Sequence, residues 1–275
     1  MIPSIPGVRG TSTMLMGAVG TGKTTALKSW LDLGLEVFCI FTEPSFEVII
    51  ETPCEKGLHY VYIPPMDASW ADMLDSAKKI NTFDIKTLSS MGDINKGKYQ
   101  EFIRVLNVLS NFTCDRCKKI FGPVDSWENN RVLWFDSLSG LNVQAMNLVV
   151  GSKPMKAVAD WGIAMDNEER LLQKLAASLN CHFVLTAHVE PEKDEQTGFV
   201  SQMAATLGRK LAPRLPRFFS DVVLAKRESS KFEWSTTAMG VDLKARNLPF
   251  GDHLPPSFKP LYETWKSRIA KGETK

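Results

Sequence analysis

The stretch GAVGTGKTT, Gly17–Thr25, decides how the rest of this 275-residue chain is interpreted. Its spacing matches G-x-x-x-x-G-K-[ST], a phosphate-binding loop whose glycines let backbone N–H groups turn towards phosphates. Such a loop lies between a strand and a helix, and residues 11–16 and 23–34 have the required apolar run and helical spacing. The lysine reaches the β- and γ-phosphates, and the threonine hydroxyl ligates Mg²⁺. The predicted nucleotide-binding residues are Gly17, Ala18, Val19, Gly20, Thr21, Gly22, Lys23, Thr24 and Thr25.

Composition sets broad limits on the protein class. Hydrophobic residues make up 44% of the chain and charged residues 23%, as in an ordinary globular protein. The net charge is +2, so any nucleic-acid site must be a local basic patch. There is no run of 18 apolar residues and no secretory signal, and the cysteines number five. We expect a cytoplasmic protein with reduced thiols and no membrane partner. We also expect one domain over 1–275, with an insertion at 81–130 and a short tail from 255.

Apolar runs alternate with helical patterns along the chain. Strands are predicted at 11–16, 35–42, 58–65, 131–136 and 181–188, and helices at 23–34, 68–80, 98–112 and 167–180. Near-continuous apolar strands are typical of a parallel sheet covered on both faces, which binds ligands at the carboxyl ends of its strands. Three closely spaced segments predict an antiparallel extension: 219–228, 232–237 and 241–247. The predicted fold class is α/β, with a mostly parallel central sheet flanked by helices and a C-terminal antiparallel extension.

Two acidic residues stand at the ends of predicted strands. Asp136 ends the apolar strand LWFD, where a phosphate-loop protein holds its Mg²⁺; the alternative is an aspartate that caps the next turn. Glu43 follows the strand FCIFT, where a glutamate faces the γ-phosphate and activates water; alone, it is an ordinary exposed glutamate. We predict that Thr24 and Asp136 ligate Mg²⁺ and that Glu43 and Lys23 are catalytic.

Taken together, these segments resemble the RecA-like recombinases. TEPSF (42–46) is similar to the Thr-Glu-Gly-Thr-Phe segment with the catalytic glutamate, and FDSLSGL (135–141) to the magnesium strand. FVLTAHV (183–189) is similar to the Thr-Asn-Gln-Val strand, where glutamine senses the γ-phosphate. His188 replaces that glutamine and can donate the same hydrogen bond with sensitivity to pH, or it is a core histidine at a strand end. The resemblance implies a RecA-like P-loop core that hydrolyses ATP with Mg²⁺.

A late segment adds a basic pair. VDLKARN places Lys244 and Arg246 on one face of a predicted strand. RecA-like rings and filaments, including KaiC and hexameric helicases, carry a similar Lys-x-Arg pair that reaches the neighbouring subunit's nucleotide. The resemblance therefore implies that both residues are catalytic across a homo-oligomer, either a ring or a filament. The alternative is an edge strand whose charges deter aggregation.

Two loops hold single-stranded DNA in RecA-like proteins. The first corresponds to about residues 139–165, with Lys153 and Lys156, and the second follows His188 and becomes basic in GRKLAPRLPR, 208–217. Basic groups neutralise phosphates and an aromatic ring stacks on bases, whereas the alternative is a solvated basic loop. The predicted DNA-binding residues are Phe199, Arg209, Lys210, Arg214 and Arg217.

The pair Cys114 and Cys117 forms C-x-x-C. A zinc knuckle needs four ligands, usually from two such pairs, and the chain has no second pair. The other cysteines are dispersed: Cys39, Cys54 and Cys181. We interpret the turn as structural, with zinc bound only where distant residues or another subunit complete the ligand set.

The end of the chain suggests a narrower group. NLPFGDHLPPSF, 247–258, is similar to the C-terminal pattern of compact phage-encoded RecA-like ATPases, the Sak-type relatives that include annealing proteins. The resemblance implies a protein that binds single-stranded DNA, promotes phage-type recombination or strand annealing, and has a single-strand-binding protein as a further partner. Two alternatives stay open: a hexameric helicase-like motor or loader, and a KaiC-like regulatory ATPase with no DNA.

Overall fold

The computed structural model describes residues 2–65, 69–92, 96–193, 195–208 and 210–272. The strands in these ranges are β1 (Ser12–Gly17), β2 (Glu36–Phe41), β3 (Leu58–Tyr62), β4 (Phe112–Thr113), β5 (Ile120–Gly122), β6 (Arg131–Asp136), β7 (His182–Ala187), β8 (Val189–Lys193), β9 (Val200–Ala204), β10 (Asp221–Glu228) and β11 (Lys231–Ser235). The α-helices are α1 (Lys28–Asp32), α2 (Trp70–Thr82), α3 (Ile85–Ser90), α4 (Glu101–Ser110), α5 (Leu138–Val150), α6 (Val158–Ser178) and α7 (Lys259–Ala270).

A single large sheet organises the described part of the chain. Its seven strands lie in the order β11-β10-β1-β7-β6-β2-β3. All neighbouring strands are parallel except β10 and β11, which are antiparallel. Every residue of β1, β2 and β7 is buried, because helices and loops cover both faces of the sheet. The predicted fold class is confirmed, and the antiparallel additions are β11 and the hairpins β4–β5 and β8–β9.

The two faces of the sheet carry separate hydrophobic cores. Alternation along β2 sends Phe38 and Ile40 to one face and Val37 and Cys39 to the other. The first core contains residues of α4, α5 and α6, and the second contains residues of α1 and α7. Because both faces are covered, only the ends of the strands are open to ligands.

Several element boundaries differ from expectation. The helix after the phosphate loop is a 3-10 turn, Thr24–Leu27, continued by the short helix α1. Residues 241–247 form no strand and make only isolated bridges, one from Val241 to Gln202 and one from Lys244 to Val222. The expected strand there is therefore wrong, because its backbone is paired at single residues only.

The segment beyond Pro255 differs from the short tail that the sequence predicts. It forms α7, which buries Leu261, Tyr262 and Trp265 in the second core. The spacing of these residues places them on one helical face. The Trp265 indole N–H donates to the Arg9 carbonyl at 2.9 Å, so this helix also fixes the entry to β1.

None of the helices in the described ranges is long and apolar enough to span a membrane.

Candidate functional site

The glycine-rich loop follows β1 at the carboxyl edge of the sheet. A Cβ on Gly17 would lie 2.5 Å from the Ala225 carbonyl oxygen, so only glycine fits beside β10. Gly20 and Gly22 have φ values of +74° and +78°, which glycine adopts without strain. The Lys23 ammonium donates to the Gly17 and Ala18 carbonyls, both at 2.8 Å. The predicted phosphate loop is therefore a turn closed by its own lysine.

A buried carboxylate faces the first threonine of the turn. Thr24 Oγ1 donates to Asp136 Oδ2 at 2.6 Å, and Thr186 Oγ1 donates to Asp136 Oδ1 at 2.8 Å. Burial raises the pKa of Asp136, although the hydrogen bonds from Thr24, Thr186 and Trp134 oppose this shift. Two hard oxygen ligands thus lie side by side, and the buried charge of the carboxylate favours a cation. The residues fit the Mg²⁺ site that the sequence predicts.

Glu43 and His188 meet at the same edge. His188 Nε2 lies 3.4 Å from Glu43 Oε2. This hydrogen bond is the largest influence on Glu43 and lowers the pKa of its carboxyl, while burial opposes the change. Burial also lowers the pKa of Lys23, and the charges of Asp136 and Glu43 oppose that shift. One cation and two carboxylates are therefore electrostatically linked at the ends of β1, β2, β6 and β7.

Thr42 holds the glutamate-bearing segment against the Asp136 strand. Its hydroxyl donates to the Ser137 carbonyl at 2.8 Å and accepts from the Ser137 N–H at 2.9 Å. A Cβ on Gly140 would lie 2.3 Å from Thr42 Oγ1, so any larger residue at this position in the first turn of α5 would clash with Thr42. Sequence reasoning missed Thr42 and Thr186, because their partners become visible only when β2, β6 and β7 are aligned.

A second missed feature is the β10–β11 hairpin beside the loop. The Phe232 ring would lie 3.0 Å from a Cβ on Gly22. The Arg227 guanidinium lies 5.4 Å from the centre of this ring, and one of its nitrogens would lie 3.9 Å from a Cβ on Gly20. A cation and an aromatic surface therefore stand next to the phosphate loop. The sequence predicts antiparallel segments here, but it does not show that they lie next to the phosphate loop.

Lys244 and Arg246 lie away from this edge. Lys244 forms an isolated bridge with Val222, whereas Gly17 pairs with Ala225 of the same strand. The three positions between Val222 and Ala225 correspond to about 10 Å along β10. Its ammonium donates to the Phe219 carbonyl, which precedes β10, at 2.7 Å. The lysine therefore points away from the phosphate loop of its own chain. Five cationic residues line a surface cavity of about 650 Å³ here: Arg9, Arg217, Lys244, Arg246 and Arg268.

The first predicted DNA loop is largely helical. Within 139–165, α5 continues to Val150 and α6 already begins at Val158. Lys153 pairs with Asp160 at 3.1 Å, and the Lys156 ammonium lies 5.4 Å from the centre of the Trp161 ring. The expected long loop is therefore wrong, because apolar residues of both helices are buried in the core.

The second group of predicted DNA-binding residues is divided between surfaces. Phe199 is 53% exposed and precedes β9, while Lys210 and Arg214 lie near Glu169, whose carboxylate is 3.3 Å from Arg214. Arg217 lines the cavity of Lys244 and Arg246. Arg209 lies outside the described residues. The structure thus brings Lys210 and Arg214 together but separates Arg217 from them.

Cys114 and Cys117 occupy the turn between β4 and β5. The Asp115 N–H donates to the Tyr60 carbonyl at 2.8 Å, which docks this turn on β3. The cysteines therefore lie outside the phosphate-loop site.

Comparison with known proteins identifies the family to which the chain belongs. A family model described as an AAA domain matches residues 9–247. Among solved structures, the crystal structure of the RadB recombinase is similar at 13% identity and a TM-score of 0.31, with 86% of this chain and 92% of that chain covered. No curated protein matches the chain.

Proposed function

Since this chain belongs to the AAA domain family, whose members are P-loop ATPases, we propose that it hydrolyses ATP with Mg²⁺ at the carboxyl edge of its sheet. The observation that carries the proposal is the 2.6 Å hydrogen bond from Thr24 to Asp136. It joins the end of the phosphate loop to a buried carboxylate on a second strand. Thr24 and Asp136 would hold Mg²⁺, which neutralises phosphate charge when bound.

The side chains have separate roles in the proposed reaction. Lys23 exchanges its bonds to the Gly17 and Ala18 carbonyls for bonds to the β- and γ-phosphates. Glu43, whose pKa is lowered mainly by the hydrogen bond with His188, is ionised at neutral pH and accepts a proton from the attacking water. His188 adjoins Glu43, and in this proposal it senses the γ-phosphate.

Two substitutions test the chemistry. Lys23→Ala should lose ATP binding, because the positive charge opposite the phosphates is gone. Glu43→Gln should bind ATP as the wild type does but lose about 10²- to 10⁴-fold in turnover, the usual contribution of a general base. Equilibrium binding and steady-state phosphate release are measured on both variants. Normal turnover by Glu43→Gln would show that another group activates the water.

We also propose that the active site is shared between subunits of a ring or filament. The support is the position of Lys244 and Arg246, which face away from their own phosphate loop in a cavity lined by five cationic residues. Such a cavity fits the polyphosphate of a neighbouring subunit's nucleotide, since arginine and lysine neutralise transition-state charge in phosphoryl transfer.

The partner that we propose is single-stranded DNA, and the biological step is phage-type recombination or strand annealing, with a single-strand-binding protein as a further partner. The support is the resemblance to Sak-type ATPases together with exposed Lys210, Arg214 and Arg217. Exposed cations bind the phosphate backbone without reading its sequence, so the affinity should fall steeply with salt.

A titration of labelled oligonucleotides, with and without ATP and Mg²⁺, tests the partner. The pair Arg209→Glu and Lys210→Glu should weaken single-strand binding by at least about tenfold, as expected for lost phosphate contacts. The pair Lys266→Glu and Lys271→Glu makes the same charge change at exposed positions, one in α7 and one directly after it, and is the control. Annealing of complementary strands is then followed directly. Wild-type protein that binds no DNA in any nucleotide state would favour a regulatory ATPase, and strand separation would favour a helicase.

A further inference from the structure

Four potential metal ligands converge beside the edge strand β3. They are Cys54, His59, Cys114 and Cys117, and their ligand atoms all lie within 4.8 Å of one another. Cys54 begins a short 3-10 turn, Cys54–Lys56, and His59 is the second residue of β3. The C-x-x-C turn between β4 and β5 supplies the other two. Cys54 and His59, which lie 55–63 positions before the C-x-x-C pair in sequence, therefore complete the ligand set that a second C-x-x-C pair usually supplies.

The spacing of these atoms agrees with one tetrahedral ion. Cys54 Sγ lies 3.9 Å from Cys114 Sγ, and Cys117 Sγ lies 3.6 Å from His59 Nδ1. Tetrahedral Zn²⁺, with bonds of about 2.3 Å to sulfur and 2.0–2.1 Å to nitrogen, holds its ligands about 3.5–3.8 Å apart. A disulfide requires an S–S distance of about 2.05 Å, far shorter than the observed separation. We propose that the four side chains form a structural Cys₃His zinc site.

The C-x-x-C turn has the shape of a metal-binding knuckle. The Lys118 N–H donates to the Cys114 carbonyl at 2.9 Å, and the Cys114 N–H donates to the Lys119 carbonyl at 3.0 Å. Lys118 adopts a left-handed conformation with φ of 59°, which is uncommon for a residue other than glycine. Since β4 and β5 contain only two and three residues, backbone pairing alone leaves such a hairpin marginal. A zinc ion supplies the missing cross-link.

The surroundings orient the histidine and leave a path for the ion. The His59 ring stacks on Phe38 at 5.2 Å between ring centres and lies 4.3 Å from Phe121. His59 and Cys114 are buried, whereas Cys117 is exposed. Cys54, His59 and Cys114 therefore form a preorganised set of three ligands, and the metal enters from the exposed side, at Cys117.

The site holds a segment that leads from the active site. After Glu43 the chain passes through the 3-10 turn Phe46–Ile49 and reaches Cys54. Arg116, inside the C-x-x-C turn, donates to the carbonyls of Ile49 and Thr52. Four protein ligands leave no open coordination position, so the ion is structural and joins this segment, β3 and the β4–β5 hairpin.

Elemental analysis of the full chain, purified without added metal, tests the site. We expect one zinc per chain in the wild type and loss of most of this zinc in Cys117→Ala, whose exposed position makes misfolding a poor explanation. Cys181→Ala removes a buried thiol outside the cluster and should retain the metal. Wild-type protein that contains no zinc, or that has a disulfide between any two of the cluster cysteines, would overturn the proposal.

Cobalt replacement identifies the ligands independently of protein yield. Co²⁺ bound by three thiolates in a tetrahedron gives intense visible bands and a thiolate-to-metal charge-transfer band. His59→Cys should keep the metal and change this spectrum, because a fourth thiolate replaces the imidazole, while His59→Ala should lose tight binding. A spectrum of six-coordinate Co²⁺, or one identical in His59→Cys and wild type, would contradict the Cys₃His assignment.

Discussion

At the scale of single residues, the proposed active site consists of side chains that are held by hydrogen bonds to one another. Asp136 is held by Thr24 and Thr186, and Glu43 is held by His188. Strand-end positions identified the two carboxylates, but not that the Thr186 hydroxyl contacts Asp136 or that His188 contacts Glu43. Burial raises the pKa of Asp136 against its hydrogen bonds, whereas the hydrogen bond with His188 lowers the pKa of Glu43, so His188 affects how activity responds to pH.

His188→Ala should shift the pH dependence of ATP hydrolysis. The hydrogen bond with His188 is the main influence that lowers the pKa of Glu43, so the pKa of this carboxyl should rise without it. A larger fraction of the base is then protonated in weak acid, and the acid limb of kcat against pH should move to higher pH. His253→Ala, which changes an exposed histidine paired with Glu233, is the control. An unchanged acid limb with normal ATP binding would argue against Glu43 as the base.

Glu168 makes a separate prediction about stability. It lies fully buried on α6, its carboxylate oxygens have no hydrogen-bond partner among the described residues, and burial raises its pKa from 4.5 to about 8. Between these values the native chain holds a proton that the unfolded chain releases, so the free energy of unfolding falls as pH rises through this window. The shift corresponds to at most about 5 kcal/mol.

Glu168→Gln should therefore unfold like the wild type near pH 4.5 and be more stable at pH 8. Urea unfolding across this range measures the difference between the two proteins. Glu169→Gln, one residue later at a partly exposed position that pairs with Arg214, should keep the wild-type pH dependence. A constant difference between Glu168→Gln and wild type at all pH values would mean that Glu168 is ionised in the folded protein.

At the scale of elements, the β10–β11 hairpin lies beside the predicted nucleotide site, a position that the sequence did not predict. Arg227 and Phe232 are cross-strand partners and share one face, whereas the next pair, Glu228 and Lys231, takes the opposite face. The hairpin therefore directs one cation and one aromatic ring towards the glycine-rich loop.

Arg227→Ala should weaken ATP binding about 10- to 100-fold, because a charge-assisted contact to phosphate is worth roughly 1.5–3 kcal/mol. Lys231→Ala removes the same charge from the other face of the hairpin and should leave the affinity unchanged. Isothermal titration on both variants gives the comparison. Equal dissociation constants for Arg227→Ala and Lys231→Ala would exclude a phosphate contact by Arg227.

At the scale of the whole molecule, the two groups of predicted catalytic residues occupy different parts of the surface. Lys23, Thr24, Glu43 and Asp136 gather at the carboxyl edge, while Lys244 and Arg246 line the cationic cavity. One subunit thus presents both halves of the proposed shared site without joining them. Activity should therefore depend on assembly.

Mixing two inactive variants should restore ATP hydrolysis. Lys23→Ala lacks the phosphate loop lysine and Arg246→Ala lacks the cation supplied to a neighbour, so some mixed interfaces combine two intact halves. Random assembly makes about a quarter of the interfaces productive, which sets the expected recovery of turnover. Lys23→Ala mixed with Glu43→Gln should stay inactive, because every site then has a lesion in its own half. Absence of rescue in co-assembled oligomers of the first pair would show that Arg246 does not act across subunits.

The sequence by itself determined the α/β class, the phosphate loop and the position of Asp136 at a strand end, because these follow from local residue spacing and strand periodicity. It did not reveal that α5 replaces much of an expected DNA loop or that α7 completes a core, since burial against distant elements decides both. The position of Arg227 beside the phosphate loop and the convergence of Cys54 and His59 on the C-x-x-C turn depend on strand order and register. Such contacts join residues far apart in the chain, so only the tertiary structure decided them.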